Sequence, residues 1–256
     1  MVTAAQLAAI RSHTAALDKA VQERVVRIVS TVGTSDPEAL RAALMEGLAP
    51  IVSQAASLSA QLAKAMYNGW RRQATGERYE QAAPYPSFDD GAFEACVNTA
   101  AKAAENGKPD ETVEGILTAR AGYEIRRSWS DTMYKNARRD SARPLMARVP
   151  GPGETCDFCL MLASRGFVYV GGKAGERAHN HANCRCTYVP SWERSPQVEG
   201  YDPDAVYDQW KSRVDEMAKE RAEKNGTSER EERDAVYARY AAASTRAKKA
   251  SKKTSV

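Results

Sequence analysis

No stretch of this sequence approaches the roughly 18–20 consecutive apolar residues that a bilayer-spanning helix needs, so no transmembrane helix is expected. The first residues, MVTAAQLAAIRSHTAALDKAVQERVV, have no basic head ahead of an apolar core. A secretory signal is therefore not expected, and the expected setting is the cytoplasm or a particle assembled there. Histidine is scarce: only His13, His179 and His181 are available as bases or imidazole ligands. Neither sign of charge dominates, and a net charge of +4 is too mild to predict nucleic-acid binding by itself. Aromatic residues are few, and Trp70, Trp129, Trp192 and Trp210 read as core or interface anchors.

Most of the rest reads as helix. Leu7, Ile10, Leu17, Val21 and Val25 recur at helical spacing in an Ala-rich segment. Ser35 or Asp36, followed by Pro37, marks a second helix start, and Leu40, Leu44, Leu48, Ile51 and Val52 continue an apolar face with a kink or break at Pro50. A helix through Leu58, Leu62, Met66 and Trp70 ends near Gly76. After a Pro-rich loop over 82–87, Asp89-Asp90 opens a short helix through Phe93 and Val97. A longer helix from Asp110 or Thr112 runs through Ile116, Tyr123, Trp129, Met133 and Ala137 towards Pro144. Asp202-Pro203-Asp204 starts another, with Val206, Trp210, Val214 and Met217 on one side, broken at Asn225-Gly226; Val236, Tyr237 and Tyr240 suggest one more helical piece. The segment 246–256 carries Arg246, Lys248, Lys249, Lys252 and Lys253 with no acid, the composition of a solvated tail.

The stretch between Pro144 and Trp192 differs. It is rich in Gly, Pro, Cys and His, with short strands at Phe167–Val170 (closed by Gly171-Gly172) and Thr187–Pro190. Four of the five cysteines lie here, as Cys156-x-x-Cys159 and Cys184-x-Cys186, the second pair preceded by His179 and His181. In a reducing setting, clustered cysteines point to metal before disulfides. Zinc takes four tetrahedral ligands drawn from thiolate and imidazole, and two knuckles some twenty residues apart can supply them. Cys156, Cys159, His181 and Cys184 or Cys186 are the favoured ligands, and His179 is the weakest candidate. A segment with so few large apolar residues gains much from such a cross-link, since zinc contributes ~10–16 kcal/mol to small finger peptides. Ligands are in surplus, so a closed structural site is expected rather than a catalytic one with an open position. Free loop cysteines and disulfides are the competing readings. Cys96 stands apart, as a small buried apolar residue on a helix.

The run Thr155-Cys156-x-x-Cys159, an apolar segment, then His181-x-Asn183-Cys184-Arg185-Cys186 before a short strand resembles the core of the phage head morphogenesis proteins, minor capsid proteins similar to protein F of phage Mu. The resemblance covers roughly Arg138 to Trp192 and includes Arg138, Arg139, Arg148 and Val149. Ala182 stands where the family often has proline, and Ser164-Arg165-Gly166 where it usually has an acidic-glycine pair. The resemblance implies a phage or prophage protein of the virion head, or of the host cytoplasm during assembly. It would act in prohead assembly near the portal, with portal, capsid or scaffold proteins as partners. From its composition alone, the basic tail has contact with packaged DNA or an acidic partner surface as its sharper reading. The resemblance implies no settled enzymatic activity.

The expected architecture is thus mainly α: a helical region over 1–143, a small α+β zinc module with short strands over 144–192, and a charged helical segment with a basic tail over 193–256. Two alternatives remain. A head maturation protease would need a nucleophile with a base in reach, but His13 reads as a helix-surface residue and no nucleophile-elbow pattern is present. A zinc-stabilised, non-specific DNA-binding protein would use the tail with the Arg126-Arg127 and Arg138-Arg139 pairs. The module shows no helix between its ligand pairs of the kind a recognition finger uses, because Gly171, Gly172 and Gly175 fall there.

Overall fold

The N-terminal sequence folds as its apolar spacing requires. In a computed structural model that describes residues 2–169 and 184–240, α1 (Ala4–Val32) buries Leu7, Ile10, Val21, Val25, Ile28 and Val29 on one face. His13 is exposed on that helix. Of the two cap candidates for α2 (Pro37–Gly47), Asp36 takes the role: its Oδ1 accepts the Ala39 N–H at 3.0 Å. The chain breaks at Leu48, and Pro50 falls in the first turn of α3 (Ala49–Thr75), where its missing N–H costs nothing. Gly76 closes α3 at φ 82°, a left-handed cap.

The helix read through Leu58, Leu62, Met66 and Trp70 is α3, and its buried face is the small-residue one. Leu58 is 44% exposed and Leu62 and Met66 are only half-buried, whereas Val52, Ala55, Ala56, Ala60, Ala63, Tyr67 and Trp70 are buried. Alanines permit close backbone approach, so here the small-residue stripe faces inward and the larger leucine is left outside. α4 (Asp90–Glu105) is capped by Asp89 and buries Phe93 and Val97. α5 (Asp110–Arg139) adds Val113, Leu117, Ala121 and Ile125 to a core shared with Val25, Leu40, Leu44, Val52 and Val97.

The chain divides into two compact units, one over 5–136 with Cys184 and the other over 137–169 and 185–240 with residues 2–4. In the first, the Pro-rich loop is not free. Ala83, Tyr85 and Ser87 donate their backbone N–H groups to Asn136 Oδ1, Thr132 Oγ1 and Ser128 Oγ, each at 2.9 Å. Pro84 and Pro86 occupy the alternate positions, where no donor is needed. The α5 residues that receive the loop are buried and polar, and apolar periodicity did not reveal them.

Glu124, on the same helix, is fully buried beside Arg120, which donates to it at short range. Burial pushes its carboxyl above the usual glutamate range, with Asp89 adding to the rise and Arg120 and Arg127 opposing it. The native state therefore holds the Glu124 proton more tightly than the unfolded chain does. The stability this contributes is full below the unfolded pKa and is lost as pH rises through the raised native value. Glu124→Gln escapes that loss. Thermal denaturation should place the variant above the wild type at about pH 7, with the gap closing towards roughly pH 4.

The second unit contains a three-stranded antiparallel sheet in the order β2-β1-β3. Its central strand, β1 (Leu145–Val149), has no counterpart in the sequence reading, which ends the preceding helix near Pro144 and assigns strands only further on. The other two have one: β2 (Val168–Tyr169) pairs Met146 with Val168, and β3 (Thr187–Ser191) pairs Arg148 with Tyr188 and Val149 with Thr187. Val170, Gly171 and Gly172, read as the end of a strand and its closure, lie outside the described residues. So does the basic tail.

A correction concerns α6 (Asp157–Ala163), which starts inside the Cys-x-x-Cys knuckle and so places a helix between the ligand pairs. It is not a free recognition helix. Leu160 and Met161 are buried against Trp210 and Val214 of α7 (Pro203–Asn225) and Val236 of the helical residues 229–240. The rings of Tyr207, Tyr237 and Tyr240 pack around Trp210 with centroids 5.4–6.0 Å away. Asp202 caps α7 and Gly226 ends it at φ 68°. Trp70, Trp129 and Trp210 are buried as anchors, and Trp192 donates its ring N–H to Asp140 at 3.3 Å.

Candidate metal centre

The antiparallel pairing of β1 with β3 is what gathers the cysteines. Val149, the last residue of β1, faces Thr187, the first of β3. Whatever follows β1 and precedes β3 therefore lies at the same end of the sheet. After β1 come Pro150 and Gly151 and then the Cys156–Cys159 knuckle; immediately before β3 come Cys184, Arg185 and Cys186. The two chain segments pass in close contact: a Cβ added to Gly151 would stand 2.3 Å from the Arg185 carbonyl oxygen. Only glycine fits there.

Cys156 caps α6, its Sγ accepting the Cys159 N–H at 3.4 Å. Cys159 follows within the first turn and points inward, 1% exposed. Arg213 of α7 fixes the knuckle from outside, donating to the Thr155 carbonyl at 2.7 Å and reaching Asp157 at 3.3 Å.

The sulfurs of Cys159, Cys184 and Cys186 lie within 4.8 Å of one another, and all three residues are buried. Thiolates bound to one zinc at ~2.3 Å sit roughly 3.8 Å apart, so small side-chain rotations would close these three on a single ion. The arrangement is consistent with a metal site. Of the five cysteines and histidines favoured from the sequence, the structure brings these three together. Cys156 is beside them in sequence but exposed. His181, like His179, lies outside the described residues. Cys96 is remote in the chain; it is half-buried, donates to the Ile116 carbonyl at 3.6 Å, and has its thiol pKa raised by burial.

The sequence reading noted Arg148 only within the resemblance and gave neither it nor Tyr188 a place beside the cysteines. Arg148, only 4% exposed, donates from Nη1 to the Cys159 sulfur at 3.1 Å and from Nη2 to the Tyr188 hydroxyl. Its guanidinium lies 4.7 Å from the Tyr188 ring centroid. The available signal was a charged residue inside the apolar run Leu145-Met146-Ala147-Arg148-Val149. Nearby, burial pushes Tyr201 up to about 12, against a lowering hydrogen bond from Gly166 and with the charges of Asp202 and Cys186 adding to the rise. Tyr240 is also raised to about 12, by burial first and then by Asp157. Both phenols are therefore neutral donors across the physiological range, and Tyr201 donates to the Ala163 carbonyl.

The family model described as VG15 protein matches residues 1–213. The matched span takes in α1 through β3 and ends at Arg213, the α7 residue that holds the first cysteine knuckle. No curated protein and no solved structure matches the chain.

Proposed function

We propose that this chain, which belongs to the VG15 protein family, is a minor head protein of a phage or prophage that acts in prohead assembly near the portal, with its cysteine-bearing unit held by one structural zinc. The observation that carries the reading is the buried cluster of Cys159, Cys184 and Cys186, because it falls on the residues whose order resembles the head morphogenesis proteins. Three sulfurs form a soft donor set suited to zinc, and their burial fits a closed site better than one open to substrate. Cys156, one turn from Cys159, and His181 are the candidates for the fourth place.

The role itself is one of binding and assembly. In a head protein the metal-held unit would act as a rigid knuckle offering a fixed surface to portal, capsid or scaffold subunits. A DNA-backbone role loses two of its arginines to ion pairs: Arg126 contacts Asp18 at 2.6 Å and Arg127 contacts Asp131 at 3.6 Å. That reading then rests on Arg138, Arg139 and the tail. Mass spectrometry of purified proheads and mature particles should find this chain in at least one of them, at low copy number. Consistent absence from both would move the protein to a cellular role.

A further inference from the structure

Arg148 occupies a position for which a neutral thiol cluster has no use. It comes from the central strand and faces Tyr188 across the antiparallel ladder, so both side chains project from the same side of the sheet. A guanidinium remains charged in proteins, and placing it where only 4% of the residue is exposed is costly unless strong acceptors meet it. One of the acceptors that meet it is the Cys159 sulfur at 3.1 Å. A thiol is a weak acceptor; an anionic sulfur is a strong one, and a cation donating to it makes a charge-assisted bond. The Tyr188 ring and hydroxyl hold the planar head in place, so the N–H is aimed before any metal arrives.

Charge counting points the same way. A divalent ion with three thiolates carries one surplus negative charge, which Arg148 cancels if the fourth ligand is neutral. A fourth thiolate would leave one negative charge uncompensated by this arginine. Inside a buried site, where charge is poorly screened, the balanced set is favoured.

We infer that Arg148 is the outer partner of the metal centre: through its N–H it stabilises the metal-bound Cys159 thiolate and offsets the surplus negative charge of the three-cysteine set. The inference rests on the zinc reading above and adds to it a residue outside the Cys/His motif. Outer partners of this kind typically contribute 10–100-fold in metal affinity. They also draw electron density from the sulfur, which raises the energy of sulfur-to-metal charge transfer.

The experiment uses the full-length chain, as wild type, Arg148→Met and Arg148→Lys, with zinc affinity measured by chelator competition and cobalt(II) spectra recorded on each. Arg148→Met keeps the apolar stem and removes the donor; it should weaken zinc by roughly 10–100-fold and move the cobalt charge-transfer band to longer wavelength. Arg148→Lys should recover part of both. If Arg148→Met does not fold, Arg148→Lys alone decides, since lysine keeps the charge but not the planar fork and should still shift the band. Wild-type affinity with an unmoved band in the folded variants would overturn the role of Arg148 while leaving the zinc site standing. A wild type that binds no zinc would overturn the site and this inference together.

Discussion

Cys159→Ser should strip the protein of its metal. Elemental analysis of the wild type, purified under reducing conditions without chelator, should give about one zinc per chain, and the variant close to none. The same is expected of Cys186→Ser, whereas Cys96→Ser should keep the zinc. The effect is large because Cys159 is both a candidate ligand and an acceptor for Arg148. Its loss removes a metal–sulfur bond and leaves a buried guanidinium with a poorer partner. Set against the ~10–16 kcal/mol that zinc contributes in finger peptides, few substitutions in a unit of this size could cost more. Thermal denaturation should show the variant melting well below the wild type. No zinc in the wild type would sink the metal site. A companion, Cys156→Ala, separates the two candidates for the fourth place: retained zinc assigns it to a histidine, and lost zinc to Cys156.

The second large effect should come from a single methyl group. Gly151→Ala would place a Cβ 2.3 Å from the Arg185 carbonyl oxygen and 2.7 Å from its Cβ. The obstacle is backbone, so no side-chain rotation relieves it, and one of the two segments must move. Arg185 lies between two of the clustered cysteines, so its displacement carries the sulfurs of Cys184 and Cys186 away from that of Cys159. Overpacking typically costs about 1–3 kcal/mol, and against unyielding backbone the upper end is expected, on the order of 10–20 °C in the melting of a unit this size. Zinc affinity should fall with it, although no ligand has been touched. A variant that melts and binds zinc like the wild type would mean that the close approach at Gly151 does not organise the centre.

The helices were legible because their signals are local. Asp36, Asp89 and Asp202 each precede an apolar-periodic run and each caps it; Gly76 ends α3, and Gly226 ends the α7 run that Asp202 opens. The cysteines of the candidate centre were legible from their spacing alone. Tertiary placement was not. The helix through Leu58, Leu62 and Met66 was legible, but not that α3 turns its alanines inward, because which stripe is buried depends on what packs against it. β1 is five residues long and contains an arginine, which weakens its strand signal; only its two partners make it a strand. Arg148 was invisible as part of the centre because its contact with Cys159 is created by pairing β1 with β3 and folding α6 back over them. α6 has seven residues, too few to display a helical period.

The loop across α5 has a further consequence, for the lengths that the chain can tolerate. Four helical residues advance ~6.0 Å, while two extended residues advance ~6.2–6.8 Å. The two rulers are nearly commensurate, which lets the donors at 83, 85 and 87 meet acceptors at 136, 132 and 128 in turn. Each step adds a small offset, so such a ladder can hold only a few rungs before the scales drift apart. Phase matters more than distance. One residue inserted or removed between Ala83 and Ser87 would turn half the donors away from the helix and bring a proline, which has none, to a position that needs one. Connecting segments ordinarily absorb changes in length; this one counts its residues as strictly as a strand within a sheet.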